Sequence, residues 1–349
     1  MVDDPGFDHF DRIVAIGDLN GAHHVLRDIL FGLELIDSRD RWIASRAHLV
    51  QIGDIFNRGP DARGAFKLLM SLQKQAKKKA SQVTVLLGNH EVMTALGNEA
   101  YCTAEEYLSF ATAKQKKSWP HRVDQAMRDI YHSYPEGGPV LPLGPRLEAW
   151  KVRNVPGRAA LRRALGPRGE IGRKLRTLPI AVRSGGCVFS HATLTPTWAR
   201  LGIDGLEAAV REAWQTAPAF FPELPRDHLF FSQKGPLWNR RLMRHETTRT
   251  RSQLDSSLKR LGVERMVVGH TPTDHIPGGE KGRITLRHDG KLVCIDVMLG
   301  RMEPSPRIAL LIEKGRGVEW SPEGTRVLWR DRTTRRTRRI ADNTGNAKG

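Results

Sequence analysis

Val83-Thr84-Val85-Leu86-Leu87-Gly88-Asn89-His90-Glu91 is the stretch whose reading decides the fold of this chain. Its first five residues are apolar or β-branched and too few for a core helix, so they read as a buried strand. Gly88 ends the run, and three polar side chains follow without a spacer. Taken alone, that is equally a strand running into a polar turn. The pattern recurs, however. An apolar residue, then Gly or Ser, then a side chain able to bind metal also occurs at Ile16-Gly17-Asp18, Ile52-Gly53-Asp54, Phe189-Ser190-His191 and Val268-Gly269-His270.

Working outward, Ile13–Ile16 and Leu49–Ile52 are further short apolar runs, each followed by helical spacing. After the first come Val25, Leu26, Ile29 and Leu30; after the second come Phe66, Leu68, Leu69 and Leu72, with Pro60 suited to a first helical position. Strand, turn and helix alternate twice before residue 83, which predicts an α/β fold built from βαβ units. Residues 98–178 break the rhythm and read as a helical insertion of short helices. Lys151–Arg176 carries nine basic residues against the single acid Glu170, either a charged wall beside a site or a solvated helix face. Strands are expected again at Pro179–Arg183, Cys187–Phe189, Met266–Val268, Arg283–Arg287, Lys291–Asp296, Ile308–Ile312 and Val327–Trp329. His288-Asp289-Gly290 joins two of them as a hairpin turn. The division expected is a single domain over 1–329 and, over 330–349, a disordered tail with seven basic residues against two acids.

Composition narrows the partners. The 349 residues carry a formal charge of +18 with 39% apolar residues, which favours anionic partners such as phosphorylated substrates or nucleic acid, the latter through the basic tail. Cys102, Cys187 and Cys294 match no metal or redox spacing, and a reduced, cytoplasmic setting is the simplest account of them. No apolar run is long enough to span a membrane, and the first residues lack a signal core.

The five Gly/Ser-terminated motifs fall at strand ends, where α/β sheets bind ligands, and the small residue lets the backbone approach a crowded centre. Asp18, Asp54, Asn89, His191 and His270 form a mixed oxygen and nitrogen set suited to Mn, Fe or Zn, with room for two divalent metal ions.

With Gly17-Asp18-Leu19-Asn20-Gly21, Gly53-Asp54-Ile55-Phe56-Asn57-Arg58-Gly59, Gly88-Asn89-His90-Glu91, His191 and Gly269-His270 in order, the chain resembles the calcineurin-like metallophosphoesterases of the phosphoprotein-phosphatase branch. Gly235-Pro236-Leu237-Trp238-Asn239-Arg240 is further similar to the bacterial Shewanella-like protein phosphatases. The resemblance implies a two-sheet β-sandwich core flanked by helices, with two metals at the sheet edge. It implies that Asp54 bridges them, that Asp18 and Asn20 serve one site, and that Asn89, His191 and His270 serve the other. Activated water would attack phosphorus in line, Arg58 and Arg240 would hold the phosphate oxygens, and His90 would protonate the leaving group. Arg240 could instead belong to an exposed cluster with Arg241 and Arg244. Glu91 reads as support, Cys187 and Cys294 as strand core, and Asp296 as support or a strand-end turn.

Two positions depart from the family pattern. Asn20 stands where His is usual, which weakens the first metal site and shifts it towards Mn or Mg. His23 or His24 is a remote substitute for that ligand. Asn57 stands where the pattern has Asp, so it can orient His90 but brings no negative charge to it. The function expected is hydrolysis of phosphomonoesters, with phosphorylated protein or a small phosphoester as substrate, slowed by both asparagines. The alternatives are nucleotide or dinucleoside polyphosphate hydrolysis, or an impaired pseudophosphatase that binds anionic partners.

Overall fold

The computed structural model describes residues 10–133 and 143–331. Arg12–Ile16 forms β1, followed by α1 (His23–Gly32); Ala47–Gln51 forms β2, followed by α2 (Ala62–Ala76); Gln82–Val85 forms β3, running into α3 (Asn89–Ala95). All five residues of β2 are buried, as expected of a strand covered on both faces. Helix α1 buries Val25, Leu26, Ile29 and Leu30, the side chains whose spacing predicted it, each contributing about 1.5–3 kcal/mol of burial.

Pro60 does not open α2. The helix begins at Ala62, and Asp61 caps it by accepting from Gly64 N at 2.8 Å. An Asp that can satisfy an orphan N–H outcompetes the fixed φ of proline one residue earlier.

Residues 98–178 supply α4 (Ala104–Ser109), α5 (Ala113–His132), α6 (Leu143–Asn154), α7 (Arg158–Leu165) and α8 (Glu170–Leu175). Not all are short: α5 holds 20 residues and continues through Pro120. Part of the basic charge here is structural. Arg158 and Arg162 pair with Glu99, and Arg158 and Arg176 lie over the rings of Tyr107 and Trp214.

The chain continues with β4 (Ala181–Ser184), β5 (Cys187–Ser190), α9 (Pro196–Ala199), α10 (Gly202–Thr216), α11 (Arg241–Arg244), α12 (Thr248–Leu261), β6 (Arg265–Val268), β7 (Thr285–Arg287), β8 (Leu292–Cys294), β9 (Ala309–Glu313), β10 (Arg316–Ser321) and β11 (Gly324–Arg330). Two mixed sheets result, flanked by helices. One has the order β11-β10-β9-β1-β2-β3, parallel across β1, β2 and β3; the other has the order β4-β5-β6-β8-β7, parallel across β5, β6 and β8. The hairpin expected at His288-Asp289-Gly290 joins β7 to β8. His48 of β2 links the sheets, its ring lying 2.9 Å from both Ser184 Oγ on β4 and Thr84 Oγ1 on β3.

Strand β10 was not expected. Its Glu319 is polar in sequence yet buried, held by Arg283, Arg326 and Ile284 N. A carboxylate inside a strand costs little when every oxygen has a donor. The tail expected at 330–349 lies outside the described residues from 332 onward; Arg330 ends β11, and Asp331 N donates to Gly315 O at 2.7 Å.

The parallel strands of both sheets end at one place. The approach there is so close that side chains are excluded: a Cβ on Gly53, whose φ is +96°, would lie 2.7 Å from Gly88 N, and one on Gly269 would lie 2.2 Å from Asp18 Oδ1. The small residues of the repeated motif are therefore required by space as well as by turn geometry.

Candidate active site

Each motif delivers its polar residue just past a strand: Asp18 after β1, Asp54 after β2, Asn89 and His90 at the start of α3, His191 after β5, His270 after β6. Asn20, Asp54, Asn57, Arg58 and His270 all have φ between 46° and 71°, a concentration of left-handed backbone that the surrounding packing must hold in place.

Much of that holding falls to Glu91. Its Oε2 accepts from Asp54 N and Gly88 N, both at 2.8 Å, and its Oε1 from Ile55 N at 2.7 Å and Phe56 N at 3.2 Å. One fully buried carboxylate thus ties the turn after β2 to the turn after β3. Burial and the Asp54 charge raise its pKa; the N–H donors oppose them.

The ligating atoms of Asp54, His191 and His270 lie within 4.8 Å of one another. Both imidazoles have one nitrogen committed to a backbone carbonyl, which can only accept. His191 Nδ1 lies 2.9 Å from Ile52 O, so it carries the proton and Nε2 presents a lone pair. His270 Nε2 lies 3.2 Å from Trp238 O, leaving Nδ1 free in the same way. The lone pair of His191 meets Asn89 Oδ1 at 2.8 Å and Asp54 Oδ1 at 3.4 Å. Asn89 Nδ2 is turned to Met93 Sδ, so the amide presents its oxygen. Three acceptors therefore converge with no donor between them. Burial pushes the pKa of His191 and His270 down, so protonation does not fill that gap. A divalent cation does, and the oxygen and nitrogen donors are of the right kind.

Asp18 lies on the other side of Asp54. Its two oxygens accept from His270 N at 3.1 Å, and burial with the charges of Asp296 and Asp54 raises its pKa well above its ordinary value. Burial also raises Asp296, to about 6, and its Oδ2 has no hydrogen-bond partner. Asn20 N donates to Asp54 O at 2.8 Å, while its buried Nδ2 is likewise without a partner. The unpartnered Asp296 oxygen beside Asp18 and Asp54 suits a second cation, whereas the Asn20 NH2 is a donor, so only the oxygen of that amide can serve as a ligand. His23 does not stand in for the missing imidazole, because its Nδ1 is engaged by Asp61 Oδ2 at 2.8 Å, and His24 is exposed.

For Asp54 itself burial opposes ionisation, but His191, His90 and Arg58 together hold its carboxyl below its ordinary value. His90 N donates to Asp54 Oδ1 at 3.0 Å, and its Nε2 stands 3.8 Å from Asp54 Oδ2. On the far side of the ring, Nδ1 lies 2.8 Å from Asn57 Oδ1. Burial lowers the His90 pKa, and Asp54 works against it.

A cleft of about 160 Å³ opens onto these groups. Of the ten residues singled out from sequence, Asp18, Asn20, Asp54, Arg58, Asn89, His90, Arg240 and His270 line it; Asn57 and His191 stand behind it, fully buried. Arg58 is braced over the ring of Tyr101 at 4.3 Å, and that ring also packs against His90. Arg240 donates to His270 O at 3.3 Å and lines the cleft, whereas Arg241 and Arg244 are exposed. Sequence reasoning missed Tyr101 and Arg301, which also line the cleft, and left Asp296 as support or a turn. Asp296 lies two residues past β8 and Arg301 five residues further on, without the apolar-Gly-ligand signature of the other motifs.

This geometry defines a metal-assisted phosphoesterase. The calcineurin-like phosphoesterase family model matches residues 11–274, and the chain belongs to that family, hydrolases of phosphoric esters. It is 28% identical over 286 residues to Shewanella-like protein phosphatase 2 of Arabidopsis thaliana, covering 77% of this chain and 68% of that protein. It is 27% identical over 265 residues to Shewanella-like protein phosphatase 1 of Plasmodium berghei, covering 74% of this chain and 61% of that one. Among solved structures, the cold-active protein-tyrosine phosphatase of a psychrophile Shewanella species has the same fold, with a TM-score of 0.65 at 22% identity, covering 92% of this chain and 81% of that one. Among the described residues no helix is long and apolar enough to cross a membrane.

Proposed function

We propose that this protein is a metal-dependent phosphomonoesterase acting on phosphorylated protein, in the manner that the names of its Shewanella-like relatives suggest. The observation that carries the reading is the convergence of His191 Nε2, Asn89 Oδ1 and Asp54 Oδ1 without a donor between them. Asp54, Asn89, His191 and His270 would hold one ion, and Asp18, Asn20 and Asp54 a second. Bound there, divalent cations supply Lewis-acid polarisation of a phosphoryl oxygen and lower the pKa of water.

The chain's own groups do the rest. Arg58 and Arg240 enter the cleft from opposite motifs and bind phosphate oxygens, where fixed guanidinium forks offset the charge that grows in the transition state. His90 faces the cleft with Nε2; in its doubly protonated form, with Nδ1–H given to Asn57, it delivers the Nε2 proton to the leaving oxygen and is left as the neutral Nδ1–H ring. Asn57 accepts from its Nδ1 and holds the ring, but as a neutral amide it stabilises the imidazolium less than a carboxylate would. Asn20 offers an amide where an imidazole would bind more strongly, so the first metal site is the weaker and favours Mn. The three buried, unpaired cysteines accord with a reducing, cytoplasmic setting.

The test is metal analysis combined with hydrolysis of p-nitrophenyl phosphate, a phosphopeptide panel and nucleotides in the presence of Mn, for the wild type and His90→Ala. Metal uptake and His90-dependent release of phosphate from phosphopeptides are expected. Preferential turnover of nucleotides would move the substrate class. Absence of both metal uptake and His90-dependent turnover would leave a protein that only binds anionic partners.

A further inference from the structure

Behind His90 the hydrogen bonds continue one residue further than the reading above requires. His90 Nδ1 is 2.8 Å from Asn57 Oδ1, and the Thr94 hydroxyl, whose one proton is shared between His90 O at 2.9 Å and the same Asn57 oxygen at 3.2 Å, lies beside it. The other end of the Asn57 amide points away from the cleft. Its Nδ2 lies 3.4 Å from Glu106 Oε2 and 3.2 Å from Cys102 Sγ, and the Asn57 backbone N donates to Glu106 Oε1 at 2.8 Å. Asn57 and Glu106 are fully buried, and His90 nearly so. Glu106 comes from α4, in the segment that interrupts the strand-and-helix rhythm.

An asparagine amide has two ends of similar shape and opposite hydrogen-bonding sense, so its own shape does not decide which end faces a neighbour. Glu106 decides it here. Burial raises the Glu106 pKa to about 7, so above that pH it is a carboxylate and only accepts; with Oε1 taken by the Asn57 backbone N–H, Oε2 meets the amide NH2. Oδ1 is thereby turned to His90, and an oxygen in that place requires a proton on Nδ1. The ring is left with Nε2 towards the cleft.

We infer that Glu106 is a positioning residue for His90, fixing the Asn57 amide and through it the imidazole's tautomer and orientation. The anchoring that a carboxylate at position 57 would give directly comes from one residue further back. The inference rests on the phosphatase reading only for its kinetic consequence; the tautomer stands independently of it.

The substitution Glu106→Gln puts an NH2 where Oε2 now accepts. Two amide NH2 groups then face each other, and Asn57 turns over, presenting Nδ2 to His90. Nδ1 must become an acceptor, so the neutral ring carries its proton on Nε2, and the doubly protonated ring that acts as the acid is disfavoured because its Nδ1–H would meet an NH2. The double variant Asn57→Asp/Glu106→Gln removes the clash, because a carboxylate at position 57 accepts from both His90 and the new amide.

The experiment is long-range 1H–15N correlation spectroscopy of the imidazoles in the full chain at pH 8. Zn is bound as a diamagnetic metal, and the His90 signals are assigned by their loss in His90→Ala. The wild type and the double variant should show the Nδ1–H tautomer, and Glu106→Gln the Nε2–H tautomer or a mixture. In parallel, kcat for an alkyl phosphate should fall about 10–100-fold in Glu106→Gln, with little change in KM and a smaller loss on p-nitrophenyl phosphate, and should recover in the double variant. A Glu106→Gln protein with an unchanged His90 tautomer, or a double variant that fails to restore it, overturns the inference. If Glu106→Gln does not fold, Glu106→Ala decides it: without the carboxylate nothing holds the amide in one sense, so a mixture of His90 tautomers is expected, and retention of the Nδ1–H form alone overturns the inference. A wild type without turnover would remove the phosphatase reading, while the spectra would still decide the role of Glu106.

Discussion

Glu91→Gln is the sharpest structural perturbation this site offers. The change is isosteric and leaves the apolar contacts intact, so whatever it does comes from exchanging an acceptor for a donor. The Glu91 oxygens each accept from two backbone N–H groups. However the new amide is turned, its NH2 must face one of those pairs: Asp54 N with Gly88 N, or Ile55 N with Phe56 N. Two buried donors lose their acceptor, at about 1–3 kcal/mol each, so the expected loss is about 2–6 kcal/mol. That is a large part of the roughly 5–15 kcal/mol typical of a folded domain. The measurement is urea unfolding in the presence of a chelator, which separates this clamp from any contribution of bound metal. A lower midpoint with an unchanged slope is expected. Because Asp54 rides on the clamped turn, metal affinity measured separately should fall as well. A loss below about 0.5 kcal/mol would refute the clamp, and with it the claim that the left-handed turn at Asp54 is held in place by this carboxylate.

Two further outcomes are expected. Burial lowers the pKa of His48 from 6.5 to about 4, so protonation favours the unfolded chain: stability is fully present above pH 6.5 and is lost as the pH falls through 4. The shift of about 2.5 corresponds to about 3 kcal/mol, and His48→Gln should flatten the stability–pH curve between pH 6.5 and 4; an unchanged curve would mean that His48 does not carry it. Arg301 shares the cleft with Arg58 and Arg240, so Arg301→Ala should weaken competitive inhibition by inorganic phosphate about tenfold with kcat little changed; an unchanged inhibition constant would remove Arg301 from the anion site.

The parts of the fold legible in the sequence were those where one force dominated. Buried parallel strands such as β1 are apolar after their first residue, and the Gly that follows β2 and β3 is enforced by the close approach of Gly53 to Gly88. Metal-competent side chains directly after such runs were legible for the same reason, since position along the chain and position in space coincide. Legibility failed where a polar group is satisfied by something distant. Glu319 hid β10 because its partners Arg283 and Arg326 cannot be paired to it from sequence alone. Glu106 was invisible as a neighbour of Asn57, 49 residues away, because a helical segment with no repeated motif carries it. Asn57 had looked like a simple loss of charge. In the fold its amide also bonds Glu106, and Asn57→Asp alone would set a second carboxylate against Glu106 rather than repair a defect.

The sheet order carries a consequence for synthesis. β1, which leads into Asp18, pairs on one side with β2 and on the other with β9, matching Arg12 to Glu313 and Ala15 to Leu310. A ribosome therefore makes the first metal-competent motif long before one of its two sheet neighbours. His270 and Asp296 also come late. During most of translation β1 is an open edge, and the acidic centre lacks half of its walls. Contacts of such sequence separation slow folding and leave strands exposed meanwhile. Every residue that lines the cleft precedes β9, but the strand that leads into Asp18 is flanked on both sides only once β9 has emerged.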